Sequence, residues 1–358
     1  MRKYNFSAGP STLPVSVLEA LQKDLVEYQG MGLSLIEASH RSPEYDAVHS
    51  TTLALVKELL QVPDTHEVLL LQGGATLQFG MIPLNFMGQG GSCDAVMSGS
   101  WAKKAIADSA KVGTVNKVFD GKDSSYTTLP DNVTTTAGAA YLHITSNETI
   151  EGVQWKNFPD TGDVPLIADA SSDIMSRPLP IAKFGMIYAG AQKNLGPAGV
   201  TLVIIRKDLL ERCPDSLPAY LNYKTHADKD SLYNTPPVFA IWAMGEVLKW
   251  IKSNGGLDGV QKLNEQKAQL VYDTIAAHGD FYRCPVDPEV RSTMNVVFRL
   301  PTEELEKQFI AAAKDKGMIG LKGHRSVGGC RASLYNAMPL EGAQALADFM
   351  TEFAKAHG

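Results

Sequence analysis

Seven short apolar runs constrain the fold of this chain more than any other feature. They cover residues 68–71, 95–97, 115–119, 140–145, 165–168, 186–189 and 201–205, and helix-like or loop segments separate them. A run that is apolar throughout, rather than alternating, suits a strand covered on both faces. Such strands interleaved with helices predict the α/β class, with a large domain built on a mainly parallel seven-stranded sheet. Two amphipathic helices precede it. Pro14 suits a first turn after Ser11-Thr12, with Leu18, Leu21, Leu25 and Tyr28 on one face; Ser42-Pro43 repeats the signal for Tyr45, Val48, Thr52, Leu55 and Leu59. A later helix starts at Thr235-Pro236-Pro237 and stops at Asn254-Gly255-Gly256.

The order then changes. A helix over 260–278 leads to an exposed-looking linker, Cys284-Pro285-Val286-Asp287-Pro288. Next come a strand over 295–300, a helix capped by Thr302, a Gly-rich stretch over 317–329, a strand-like 331–335 and a last helix from Pro339. These elements predict a small C-terminal α+β domain. The expected division is an N-terminal segment 1–15 packing on the small domain, a large domain 16–258 and the small domain 259–358. A chain of 358 residues exceeds one ordinary core, in keeping with two domains.

The net charge of −6 gives no electrostatic footprint for nucleic acid or an anionic membrane. The N-terminus lacks the apolar run of a signal peptide, and no apolar run is long enough to span a bilayer. Cys93, Cys213, Cys284 and Cys330 are scattered, with no CxxC and no His/Cys ligand spacing. Reduced thiols, no metal site and a cytoplasmic location are the expectation.

The segment Ala189-Gly190-Ala191-Gln192-Lys193-Asn194-Leu195-Gly196-Pro197-Ala198-Gly199 sets one lysine among small residues between two of the apolar runs. The small residues read as clearance for a planar, bulky group, and a Schiff base to pyridoxal phosphate suits such a lysine. A solvated turn lysine fits these eleven residues as well. The cofactor would need a carboxylate at its pyridine nitrogen. Asp169 ends the run 164–168, at the sheet edge where ligands of open α/β sheets bind, although an aspartate there also caps a turn. Gln72-Gly73-Gly74-Ala75-Thr76 follows a strand and opens a helix, as a phosphate cradle or a plain tight turn would. Trp101, after Ser98-Gly99-Ser100, either stacks on a ring or packs in the core, and Thr149 lies in the polar loop 146–152, within reach of a ring hydroxyl. His40-Arg41, His324-Arg325 and Arg331 lie in Ser/Gly-rich loops and together suit a substrate with a carboxylate and a phosphate, while each alone reads as a surface arginine.

From Asn5-Phe6-Ser7-Ala8-Gly9-Pro10 through the lysine segment to Arg331-Ala332-Ser333-Leu334-Tyr335-Asn336-Ala337-Met338, the chain resembles the class V aminotransferases of the type I pyridoxal-phosphate transferase fold. Within them it is most similar to the branch that forms O-phospho-L-serine. The resemblance implies that Lys193 holds pyridoxal 5'-phosphate and shuttles a proton, and that Asp169 pairs with the pyridine nitrogen. It also implies that Trp101 stacks on the ring and Thr149 bonds its phenolic oxygen. Ala75, Thr76 and Gln192 would hold the phosphate, joined by Asn234 and Thr235 from the partner subunit of a homodimer with shared sites. Some relatives carry arginine where this chain has Thr76. Arg331 would take the substrate α-carboxylate; His40 and Arg41, with His324 and Arg325 contributed across the dimer, would grip a distal phosphate or carboxylate.

The implied reaction is a ping-pong transfer from L-glutamate to 3-phosphohydroxypyruvate, in serine biosynthesis. Whether a phosphorylated four-carbon oxo acid of pyridoxal-phosphate biosynthesis also serves is left open. The proton shuttle needs a neutral lysine, which nearby cations would favour. Competing readings are a serine–glyoxylate type transaminase, a desulfurase using Cys330, and a non-catalytic anion-binding module.

Overall fold

The computed structural model describes residues 2–88 and 90–358. The chain opens with β1 (Tyr4–Asn5), α1 (Val15–Asp24) and α2 (Pro43–Leu60). Ser42 caps α2 by accepting from Tyr45 N, and Pro43 takes the first turn, where its missing N–H costs nothing. Then follow β2 (His66–Leu71), α3 (Gly74–Phe86), β3 (Ser92–Met97), α4 (Ser100–Ser109), β4 (Thr114–Asp120) and β5 (Leu142–Thr145). A small ribbon of β6 (Asn147–Glu148) and β7 (Val153–Gln154) precedes β8 (Leu166–Asp169), β9 (Met186–Gly190) and β10 (Thr201–Arg206).

All seven apolar runs are strands of one sheet, in the order β2-β10-β9-β8-β5-β3-β4. Its two faces are covered by separate apolar clusters, one holding Leu70, Ile144 and Ile204, the other Leu71, Ile167 and Val203. Four pairings are parallel, but β10 runs antiparallel to both its neighbours. Burial alone says nothing of strand direction. The short link 191–200 does, because a parallel neighbour needs a crossover of about a dozen residues or more. With β10 alone reversed, β2, β3, β5, β8 and β9 all deliver their carboxyl ends to one edge of the sheet.

Two short helices, α5 (Lys207–Leu210) and α6 (Tyr223–Ala227), lead to α7 (Val238–Ser253), which packs across α2. Their close approach requires Gly245, since a Cβ there would lie 2.7 Å from Thr52 Oγ1. Next, α8 (Gly256–Ala277) runs between two cores: Leu257 and Val260 sit in the sheet's core, Ala268, Val271 and Ile275 in a second one. The expected division at 258/259 therefore falls inside a continuous helix. The second core gathers β11 (Asn295–Phe298), α9 (Glu303–Asp315), β12 (Met318–Ile319), β13 (Cys330–Ser333) and α10 (Leu340–His357). Thr302 caps α9 by accepting from Leu305 N at 3.2 Å. β1 pairs with β12, and Phe6 is buried in this second core. The 284–288 linker is not exposed along its length: Val286 is buried against Val153 and Val297. An apolar side chain inside a polar-looking stretch is the reason. No helix among the described residues is long and apolar enough to cross a membrane.

Phe309 centres an aromatic cluster with Tyr282, Phe298, Phe349 and Phe353. Phe309→Ala should destabilise this core by about 3–5 kcal/mol in denaturant unfolding, and a loss under 1 kcal/mol would contradict the packing described.

Candidate active site

Lys193 sits on a turn between β9 and β10. Ala191 N donates to Val200 O, and Leu195 N and Gly196 N both donate to Ala191 O, so the turn is closed by its own backbone. The N-terminal segment then pins it from outside. Ser11 N donates to Gln192 O at 3.0 Å, and Ser11 Oγ donates to Lys193 O at 2.5 Å. The small residues of this segment serve close packing within the protein itself. A Cβ on Gly190 would lie 2.7 Å from Gln192 Oε1, and one on Gly199 would lie 3.4 Å from Ala240 Cβ of α7. Ala8 and Gly9 form part of the cavity wall, and a Cβ on Gly9 would lie 3.4 Å from Lys193 Cγ.

That cavity, of about 280 Å³, lies at the carboxyl edge of the sheet. Lys193 Nζ donates to Thr149 Oγ1 at 2.7 Å and stands 5.4 Å from the centre of the Trp101 ring. Asp169 ends β8, one strand over, and accepts from Ser171 N at 2.9 Å through Oδ1. Arg331, on β13 of the second core, donates from Nη1 to Thr149 O at 3.2 Å, so Thr149 ties the lysine and the arginine together. On the opposite wall α3 begins with Gly73 and Gly74, both at positive φ, and with no side-chain cap. Its first intrahelical donor is Leu77 N, to Gly73 O. The N–H groups of 74–76 have no partner within the helix, which makes this end a ready anion site.

Burial governs the charges here. It lowers Lys193 to about 8, with Arg331 adding to the fall and Asp169 and Glu148 opposing it. The expected cause, nearby cations, is thus the lesser one. Burial raises Asp169, countered by its bonds to Ser171 and by the Lys193 charge. Burial first, then Arg331, Arg325 and Lys104, lower His324. Trp101 Nε1, Thr145 Oγ1 and Arg331 Nε are buried with no hydrogen-bond partner in the protein, and all three residues line the cavity.

Of the residues singled out from sequence, Ala75, Thr76, Trp101, Thr149, Asp169, Gln192, Lys193, His324 and Arg331 line this cavity. The resemblance had His324 arrive from across a dimer, whereas here it borders its own chain's cavity. His40 and Thr235 line a different groove, with Ile36 and Phe239, and Arg41 and Arg325 are exposed outside both. Ala8, Gly9, Asn147 and Ser172 were missed; their small or neutral side chains carry no chemical signal, and only their place at strand ends or against the lysine turn marks them. Cys330 is buried, and burial raises its thiol well above the usual range, which disfavours a nucleophilic role.

The aminotransferase class-V family matches residues 3–346. The chain is 55% identical over 358 residues to phosphoserine aminotransferase of Lysinibacillus sphaericus, covering 99% of each chain. Among solved structures it is similar to phosphoserine aminotransferase from Bacillus circulans subsp. alkalophilus, with a TM-score of 0.98 and 53% identity over 100% of this chain and 99% of that one. It is also similar to the PLP-bound phosphoserine aminotransferase of Trichomonas vaginalis, with a TM-score of 0.93 and 37% identity over 98% and 100%.

The opposed influences on Lys193 make a paired prediction. Removing the Asp169 charge (Asp169→Asn) should shift the midpoint of lysine acylation, followed by mass spectrometry against pH, to lower pH. Removing the Arg331 charge (Arg331→Met) should shift it to higher pH. Shifts of the same sign in both variants would contradict the electrostatic arrangement.

Proposed function

The chain belongs to the class-V aminotransferase family, and from that premise we propose that it uses pyridoxal 5'-phosphate to move an amino group from L-glutamate to 3-phosphohydroxypyruvate, releasing 2-oxoglutarate and O-phospho-L-serine. The observation that carries this reading is the convergence of Lys193, Asp169, the open start of α3 and Arg331 on one cavity. The relative at 55% identity supports the choice of substrates. The residues present suit the cofactor. Thr145 and Trp101, each with a buried polar atom that has no partner in the protein, line this cavity together with an amine, a carboxylate and the open start of α3.

When bound, the cofactor supplies a carbonyl carbon that carries the amino group between half-reactions and a ring that accepts the electron pair of the broken Cα–H bond. Lys193 provides the anchoring amine and the base. With its amine near 8, about one molecule in ten is neutral at pH 7, against about one in 2,500 at the ordinary lysine value of 10.4. The neutral Nζ would be the base that moves the proton between substrate Cα and the cofactor's carbonyl-derived carbon. Asp169 would hold a proton on the ring nitrogen, and Trp101 would cover the ring. Thr149 Oγ1, which accepts from Lys193 here, would bond the ring's phenolic oxygen. Ala75, Thr76 and Gln192 would hold the phosphate through backbone N–H, hydroxyl and amide donors. Arg331, braced by Thr149 O, takes the substrate α-carboxylate with its guanidinium fork.

The site is completed by a second copy of the chain. Val26, Leu33, Ile36, Tyr233 and Phe239 are exposed and apolar, and they fall in the segments that carry His40, Asn234 and Thr235. In a homodimer Asn234 and Thr235 of the partner subunit join the cofactor phosphate. His40 and Arg41 of the partner subunit meet His324 and Arg325 around the distal phosphate or carboxylate. The four free cysteines accord with a cytoplasmic location.

Incubation with pyridoxal phosphate should give a visible absorption band that borohydride bleaches and Lys193→Ala abolishes. Glutamate and phosphohydroxypyruvate should then yield phosphoserine; a coloured protein that forms none would overturn the substrate assignment. Arg331→Ala should lower kcat/KM about 10–200-fold for both substrates, the loss of one charge-assisted contact of about 1.5–3 kcal/mol. Arg325→Ala should penalise the phosphorylated substrate more than glutamate.

A further inference from the structure

A buried carboxyl pair lies beside the site with none of these roles. Glu148 ends β6, Glu151 follows two residues later in the chain than Thr149, and both reach beneath the first turn of α4. Glu148 Oε1 accepts from Ala102 N at 2.9 Å and from Ser98 Oγ at 3.2 Å, and its Oε2 accepts from Trp101 N at 3.0 Å. Glu151 Oε1 accepts from Ser100 N at 3.0 Å and Ser100 Oγ at 2.6 Å. The free N–H groups of α4 are thus met by two side chains remote in sequence, since Gly99 offers no cap. A Cβ on Gly99 would lie 2.6 Å from Glu151 Oε2 and 2.7 Å from Glu148 Cδ, so glycine is what lets both carboxyls in.

Two carboxylates packed together out of water do not both ionise. Burial raises both carboxyls and their proximity holds a proton between them, so that the pair loses it only near pH 8. One proton therefore stays on the pair at neutral pH. The donors decide where. Both oxygens of Glu148 already receive N–H groups, whereas Glu151 Oε2 is buried without a partner among the protein's donors, and the two side chains come within hydrogen-bonding reach of each other. The surrounding charges are Arg331 from β13, Lys193 from the turn after β9 and Asp169 from β8, with the neutral phenols of Tyr126 and Tyr188. A pair of charge minus one faces two cations and one further carboxylate.

We propose that Glu148 and Glu151 are positioning residues that share one proton and set Trp101 against the cofactor ring. Ionised Glu148 grips the amides of Trp101 and Ala102, and Glu151, protonated on Oε2, donates to Glu148. This rests on the reading of Trp101 as a wall of the cofactor site.

The two amide variants separate the partners. Glu151→Gln keeps an oxygen for Ser100 and an N–H for Glu148, reproducing the protonated acid. Glu148→Gln has one accepting oxygen for three donors and turns an NH2 toward a backbone N–H. In the cofactor-free protein, hydrogen exchange at residues 100–102 should stay at the wild-type level in Glu151→Gln and speed up at least tenfold in Glu148→Gln. In the loaded protein, the circular-dichroism band of the cofactor should persist in the first and weaken in the second. The wild-type protection, corrected for intrinsic exchange, should fall between pH 7 and 9 as the shared proton is lost, and Glu151→Gln should remove that dependence. Equal effects of the two variants, or a wild-type pH dependence retained in Glu151→Gln, would overturn the proposal. If Glu148→Gln does not fold, the pH dependence in Glu151→Gln decides alone. Absence of any cofactor band in the wild type would instead refute the cofactor reading, and the exchange contrast would still test the pair.

Discussion

Removal of one lysine from water organises this molecule. The Lys193 ammonium is held at the carboxyl edge of the sheet, and burial rather than any single neighbour lowers its proton affinity. That burial needs walls from distant parts of the chain: Ala8 and Gly9 from the N-terminal segment, the turn after β9, Thr149 after β6, and Arg331 from the second core. The link between the two cores is therefore functional as well as structural. Arg331 adds a cation that pushes Lys193 further down, and Asp169 keeps it from falling too far.

Two helices begin at this sheet edge, and the chain treats their free N–H groups in opposite ways. The start of α3 is left open behind Gly73 and Gly74, with room beyond Gly74 for an anion. The start of α4 is closed from below by Glu148 and Glu151, which enter because Gly99 has no side chain. One helix end is thus available to bind, and the other is fixed to hold Trp101. Both arrangements depend on a glycine, but for different reasons: positive φ at 73 and 74, close approach at 99.

Much of this was legible in the sequence because strands covered on both faces must be apolar throughout. That requirement located the seven runs and, at their ends, Asp169, Lys193, Thr149 and Trp101. The reversal of β10 was not read, since its residues are as apolar as those of its neighbours; only the short link 191–200 carried the signal. Val286 was misjudged because two prolines and an aspartate surround it. The walls formed by Ala8 and Gly9 were invisible because backbone packing leaves no trace in side-chain chemistry. The carboxyl pair was read as part of a polar loop, since nothing in the sequence says that Glu148 and Glu151 are buried.

The cavity itself, before any ligand enters, holds Lys193 far below the ordinary lysine range. Nitrogen-15 NMR of the lysine side-chain amines in the cofactor-free protein, assigned with Lys193→Arg, reads this directly. A titration midpoint of about 8 is expected for Lys193. A midpoint near the model-peptide value of about 10.4 would contradict it.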